Sequence, residues 1–323
     1  YTDTLRGFHC YMLELSKEKF GTVIPYVQYV LMYDISWRVK AKVPEGLLTE
    51  AEYKAYYDTL VAILQQIDDK IIDEQKYFNG ACKKLALSIK YQKDISKEII
   101  FKKGHIYYGG CKLTNLNKVR FLSIDFMSIK EDTLYIEGFA EYWLPYEDYK
   151  IAFIDQNENK YYVEFFEYDK KNCYGLTGLY AFTRGYTIEI PLEKVTKLKP
   201  VLEYRTGDSC VLPVEYRKFV KLDKHVQKSY GVYDKYLLRT AGKSIVVKKR
   251  SKKRFKEYEK AYCRELRELK KTRLIKYRIC NRLLRRFKKN EIWLVSDRIN
   301  VARDNGEAFF EYLCRTKPEG IKP

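Results

Sequence analysis

The stretch Ser296 to Glu307, SDRINVARDNGE, gathers the side chains of this 323-residue chain best suited to hold a phosphate. Arg298 and Arg303 offer planar guanidinium groups that match phosphate oxygens, and backbone N–H groups at a helix start would add fixed donors. Ahead of it, Ile292 to Val295 is a continuous apolar run that suits a strand buried on both faces. Behind it, Asp304, Asn305 and Gly306 can cap a helix whose stripe is Ala308, Phe309, Tyr312 and Leu313. Strand, loop and helix open a doubly wound α/β domain, and ligands of such sheets bind outside the carboxyl ends of the strands. Ser296, Asp297, Arg298, Arg303, Asn305, Gly306 and Glu307 are therefore the candidate phosphate-binding residues. The competing reading is that Asp304 and Asn305 are only a helix cap.

The element just before this loop carries most of the charge. Lys248 to Lys289 holds 20 Lys and Arg against Glu257, Glu259, Glu265 and Glu268, out of a net +19 for the whole chain. Phe255, Tyr258, Tyr262, Leu266 and Leu269 fall at helical steps, and Ile275, Ile279, Leu283 and Phe287 continue the stripe after a one-residue slip. The pattern predicts one long amphipathic helix with a basic outer face. Its plain role is a connector packed on a neighbouring domain. The sharper role is to lie on an anionic surface, a membrane leaflet or a nucleic acid, through Lys252, Lys253, Arg254, Lys271, Arg278, Arg282, Arg285 and Arg286.

Composition sets the frame for these elements. An apolar fraction of 46% is globular, and the 31 Tyr point to β-rich structure and amphipathic surfaces. Eight cysteines without a C-x-x-C pair fit reduced thiols rather than a zinc site or disulfide framework, so no metal is expected. No apolar run approaches the roughly 18 residues of a transmembrane helix, so membrane contact would be peripheral. The chain starts at Tyr1 without Met, which is expected of an interior piece of a longer polypeptide.

In chain order, helical spacing runs from Thr2 to about Gln92, with breaks at Gly21, Pro25, Pro44 and Gly46 and a capping-box pair at Thr49 and Glu52. Adjacent Asp68 and Asp69 project about a hundred degrees apart on a helix and are expected to be solvated charges. Residues 93–117 look irregular. The period then changes to two, with strands expected over Val119 to Met127, Thr133 to Tyr142, Lys150 to Asp155, Lys160 to Tyr168, Tyr186 to Pro191, Leu198 to Arg205, Cys210 to Phe219 and Ser244 to Lys249. Short strands separated by turns suit an antiparallel sandwich. His225 is expected in an exposed loop, and His9 and His105 show no partner in sequence.

IWLVSDRINVARDNGEAFFEYL, from Ile292 to Leu313, resembles the opening segment of the bacterial glycerophosphotransferases that polymerise wall teichoic acid from CDP-glycerol, and of related polyol-phosphate transferases of capsule synthesis. In that family this unit begins a GT-B architecture of two Rossmann-like halves. YVQYVLMYDISWRVK, Tyr26 to Lys40, with Ile67 to Ile72 resembles the tail of family-two glycosyltransferase domains, which often precede a glycerophosphotransferase in one polypeptide. Joined to the elements read above, the resemblance gives a multidomain α+β chain: a helical glycosyltransferase tail over 1–93, a linker over 94–117, the antiparallel β-sandwich over 118–249, the long basic amphipathic helix over 250–289, and the first β-α unit of the GT-B glycerophosphotransferase domain over 290–323.

The same resemblance implies transfer of a polyol phosphate from a CDP-linked donor to a lipid-linked anionic acceptor at the cytoplasmic face of the bacterial plasma membrane. The family's catalytic histidines and donor-binding residues belong to later parts of its fold, so no catalytic residue and no cofactor is assigned within this chain. The loop from Ser296 to Glu307 would then meet the acceptor, the basic helix the membrane, and the chain's ends flanking transferase domains. A nucleic-acid-binding protein is the rival from another class. It lacks support from zinc-finger spacing, RNP-like strands or a helix-turn-helix pattern. A non-catalytic scaffold between two transferase domains is the third reading.

Overall fold

A computed structural model describes residues 2–40, 48–119, 121–141, 143–168, 183–217, 220, 222, 225–287 and 305–316. It resolves into two compact units, Tyr1–Glu265 and Leu266–Pro323. The expected strand Ile292 to Val295 lies outside the described residues.

The first unit opens with helices. A short α1 (Thr2–Thr4), a π-helical turn (Leu5–Cys10) and α2 (Tyr11–Phe20) run on without a break. Gly21, at φ 73°, ends α2 in the left-handed conformation that glycine adopts without steric cost. Then come α3 (Pro25–Lys40), α4 (Glu50–Leu64), α5 (Asp69–Glu74) and α6 (Gly80–Tyr91). The capping box at the start of α4 forms as expected, with Glu52 N–H donating to Thr49 Oγ1 and Thr49 N–H donating to Glu52 Oε2 at 2.8 Å. Asp69 departs from the expected solvated charge. It accepts from Lys90 Nζ at 2.6 Å and from Tyr91 Oη at 2.7 Å, tying α5 to α6.

Residues 100–115, expected to be irregular, form a three-stranded antiparallel sheet of β1 (Ile100–Lys102), β2 (His105–Tyr108) and β3 (Cys111–Asn115). Glycines make its turns: Gly104 at φ 80° and the pair Gly109 and Gly110 at 53° and 84° let the chain reverse in two residues. His105 finds a partner across this sheet, its Nε2 lying 3.1 Å from Asn115 Nδ2.

Two larger sheets follow. Five strands take the order β12-β4-β5-β9-β8 and six the order β13-β14-β15-β10-β6-β7, with β11 added to β10. In chain order these are β4 (Leu122–Lys130), β5 (Thr133–Ala140), β6 (Tyr149–Asp155), β7 (Lys160–Tyr162), β8 (Glu164–Glu167), β9 (Arg184–Pro191), β10 (Lys197–Tyr204), β11 (Ser209–Val211), β12 (Val214–Tyr216), β13 (Tyr230–Tyr233), β14 (Tyr236–Ala241) and β15 (Ser244–Lys249). All pairs are antiparallel except β12 with β4, so the chain is mixed α+β with antiparallel and mixed sheets. One apolar core runs from Leu5 to Val247 through the helices and both large sheets.

Three departures from the sequence reading have physical causes. The strand expected over Lys160 to Tyr168 divides at Val163, so that β7 serves one sheet and β8 the other. The strand expected over Cys210 to Phe219 divides at Pro213, which has no N–H for a ladder, and its halves pair with β10 and β4. The hairpin of β13 and β14 was not expected, because its turn at Asp234 and Lys235 lacks glycine; Asp234 takes φ 47° instead.

The second unit contributes α8 (Thr272–Phe287) and α9 (Asn305–Thr316), after α7 (Lys252–Glu268) has left the first. The long basic helix is therefore two helices. α7 closes with a Schellman motif, Lys271 N–H donating to Leu266 O at 2.8 Å and Lys270 N–H to Arg267 O at 2.9 Å, with Lys270 at φ 57°. The break coincides with the one-residue slip in the apolar stripe.

Lys84 on α6 is 4% exposed, and burial pulls its pKa down to about 7, against the opposing pull of Asp94. The unfolded chain, with an ordinary lysine, binds this proton up to near pH 10.5, so folding loses a proton between those values and stability rises with pH across that window. Lys84→Met removes the proton, and the slope of unfolding free energy between pH 7 and 9, measured by denaturant titration, should fall relative to the unsubstituted chain.

Candidate functional site

Of the two stretches read as functional, the basic one is described through α7 and most of α8. α7 docks on the edge of the six-strand path through Tyr230 of β13, whose ring is met edge-on by Phe255 at 5.9 Å, Tyr258 at 5.9 Å and Tyr262 at 6.2 Å. Those three residues open the predicted stripe, whose Leu266 is buried as well while Leu269 is exposed. Tyr230 Oη donates to the carboxylate of Glu259, which is only 8% exposed and also faces Cys263 Sγ at 3.7 Å. Glu265 accepts the backbone N–H groups of Gln227 at 2.7 Å and Lys228 at 2.6 Å. The guanidinium of Arg239 lies 5.1 Å over Tyr258 and that of Arg250 lies 5.4 Å over Phe255.

This docking sorts the charge of the helix. Glu259 and Glu265, two of the four acids in the stretch, are turned inward to hold the helix in place. Lys252, Lys253, Arg254, Lys256, Lys260, Arg264 and Arg267 stay exposed, opposed on this helix only by the exposed Glu257 and Glu268. The packing expected of a connector is thus present on one face of α7, and its basic residues are exposed on the other.

α8 behaves differently. Its Ile275 is 8% exposed, but Ile279 and Leu283, next on the same stripe, are 52% and 49% exposed, and Leu274, Tyr277 and Leu284 are exposed with them. Arg273, Lys276 and Arg282 are exposed on the same helix, Arg278 is half-buried, and Lys271 is half-buried in the turn ahead of it. Arg285 and Arg286 belong to its last turn, but their side chains lie outside the described residues.

The predicted phosphate loop is described only in part. Ser296, Asp297, Arg298 and Arg303 lie outside the described residues. Asn305, Gly306 and Glu307 form the first turn of α9, where the cap predicts a helix, and their side chains are not described. On that helix Leu313 is buried while Phe309 and Tyr312 are exposed.

Two groupings escaped the sequence reading. His9, in the π-helical turn and fully buried, places Nε2 3.0 Å from Asp34 Oδ2 and Nδ1 3.2 Å from Thr4 O, and Asp34 also pairs with Arg38 at 2.6 Å. Burial lowers the imidazole pKa against the pull of Asp34. Its partner sits 25 residues away with no local signal. The outward face of α3 is aromatic, with Tyr26, Tyr29, Tyr33 and Trp37 exposed and Tyr33 packed on Tyr77 at 5.2 Å. That face was visible in the sequence only as helical spacing. His225 is exposed in a turn as expected. Among the described residues no cluster could hold a metal, no helix is long and apolar enough to cross a membrane, and the cysteines are free.

The chain matches the minor teichoic acid biosynthesis protein GgaB of Bacillus subtilis (strain 168) with 23% identity over 343 residues, covering 100% of the chain. The resemblance to teichoic-acid synthesis proteins spans the whole chain. It covers 37% of GgaB, so the chain spans about a third of that relative's length. No family model matches. Among solved structures, a crystal structure of S. aureus TarS aligns with a TM-score of 0.34 and 10% identity, over 77% of this chain and 78% of that one.

If Tyr230 anchors α7, Tyr230→Ala should destabilise the first unit by about 3 kcal/mol, the cost of emptying a buried aromatic site. It should also bring trypsin cleavage at Lys256, Lys260 and Arg264 forward in time relative to cleavage elsewhere. A calorimetric melt and a timed digest with mass spectrometry measure both.

Proposed function

We propose that the chain is an internal section of a transferase of bacterial wall or capsular polymer synthesis, moving glycerol phosphate or a related polyol phosphate from a CDP-linked donor to a lipid-linked acceptor. The whole-chain similarity to a teichoic-acid biosynthesis protein supports this reading. The section's own task is to dock that machinery on the anionic cytoplasmic leaflet and to meet the acceptor, between flanking transferase domains. The acceptor would be met by Ser296, Asp297, Arg298, Arg303, Asn305, Gly306 and Glu307. No catalytic residue or donor site is assigned to the described residues.

The observation that carries the docking role is α8. Exposed Ile279, Leu283 and Leu284 interleave with exposed Arg273, Lys276 and Arg282 on one helix, the composition of a helix that lies in a membrane interface. Each cation near an anionic leaflet contributes on the order of 1 kcal/mol, and each buried aliphatic side chain roughly 1.5–3 kcal/mol. A few of each suffice for reversible attachment. The same stripe disfavours the nucleic-acid reading, since exposed leucines gain nothing along a phosphate backbone.

Sedimentation with phosphatidylglycerol vesicles and with phosphatidylcholine vesicles tests the proposal. The chain should bind the anionic vesicles and release them as salt rises, and Ile279→Ser with Leu283→Ser should weaken binding roughly tenfold or more. Equal binding to both vesicle types would rule out the electrostatic part. Undiminished binding by the double variant would rule out the apolar one.

A further inference from the structure

Where β15 hands over to α7, the first unit holds a cavity of about 490 Å³, within the roughly 300–1,000 Å³ range of small-molecule sites. Lys248, Lys249 and Arg254 line it together with a single carboxylate, Glu193. Arg254 is held at this place by its own bonds, Nη1 donating to Lys249 O at 2.9 Å and its backbone N–H to Ser251 Oγ at 3.2 Å. The nearby Asp132 accepts from Lys235 Nζ at 2.8 Å and Tyr236 Oη at 2.6 Å and also feels the charge of Lys249. The remaining walls include buried apolar residues of the link between β9 and β10 and of β15, Leu192, Val195 and Val247.

These walls differ from a membrane-facing patch in three respects. They are concave, which a flat leaflet does not require. Their cations come from a strand and a helix that Arg254 ties together through Lys249 O, rather than being spread along one helix. They also mix cations with an apolar floor, the hydroxyl-bearing Thr196 and Tyr236 and one carboxylate, a combination that suits a ligand with an anionic group, a short carbon skeleton and hydroxyls.

We propose that this cavity is a subsite for a phosphodiester repeat of a polyol-phosphate chain, the phosphate facing Lys248, Lys249 and Arg254, a hydroxyl facing Glu193, and the carbon skeleton against the apolar floor. The choice of a polyol phosphate rests on the teichoic-acid reading above. The subsite makes the section a holder of the growing polymer, separate from the membrane contact of α8, and it reassigns Arg254 from the membrane to the polymer.

The test uses the 323-residue chain, a labelled soluble oligo(glycerol phosphate) read by fluorescence anisotropy, and phosphatidylglycerol vesicles read by sedimentation. Lys249→Gln and Arg254→Gln should each weaken oligomer binding roughly tenfold, the worth of one charge-assisted contact. Glu193→Gln, which removes the opposing charge, should tighten it. Arg273→Gln with Lys276→Gln removes two cations from α8 and should weaken vesicle binding while leaving oligomer binding unchanged. Loss of oligomer affinity as large in the α8 variant as in the cavity variants would show unlocalised attraction and overturn the proposal. So would wild-type oligomer binding in both cavity variants, or an effect of those variants on vesicles alone, which would make the ligand a lipid headgroup. A thermal melt of each variant checks folding, and Lys249→Gln decides the matter if Arg254→Gln does not fold. Failure of vesicle binding with oligomer binding intact would sink the docking reading and leave the subsite standing.

Discussion

The arrangement of charge on this protein depends on how Tyr230 is received by α7. Its ring is enclosed by Phe255, Tyr258 and Tyr262, and its hydroxyl is held by the nearly buried Glu259. A buried carboxylate is costly unless bonded, and the tyrosine hydroxyl and Cys263 thiol beside it offset that cost. With the aromatic face committed to the sheet, the cationic face of the helix has one direction left. The surface charge of this region is thereby an outcome of aromatic packing.

The turn at Leu269 to Lys271 divides a continuous run of basic residues into two devices. In α7 the apolar residues are consumed by folding and only the charge is displayed; in α8 apolar residues and charge are displayed together. A helix of the first kind acts by long-range attraction, which salt screens, and one of the second kind adds insertion, which salt does not weaken. The cavity at the root of α7 adds a third environment, a concave one lined by Lys248, Lys249 and Arg254.

The sequence made the alternation of strands, the N-terminal helices and the amphipathic stretch legible, because each rests on a local period. The capping box at Thr49 and strand β15 fall where the pattern puts them. Hidden features depend on pairs far apart in the chain. Asp69 reaching Lys90, His9 reaching Asp34 and Tyr230 reaching three residues of α7 leave no periodic trace. The cavity was equally invisible, since Glu193 and Arg254 are brought together only by the sheet between them. The helix break was present in the sequence as the one-residue slip of the stripe, a phase change that a single straight helix cannot accommodate on one face.

β13 ends the strand order of its sheet among the described residues, the position at which native folds must discourage another chain from adding on. Glu265 already takes the N–H groups of Gln227 and Lys228 just ahead of that strand, and α7 lies against its Tyr230. A cationic helix packed beside a terminal strand sets like charge against like wherever two copies of the protein approach there, a disposition that favours the separate molecule.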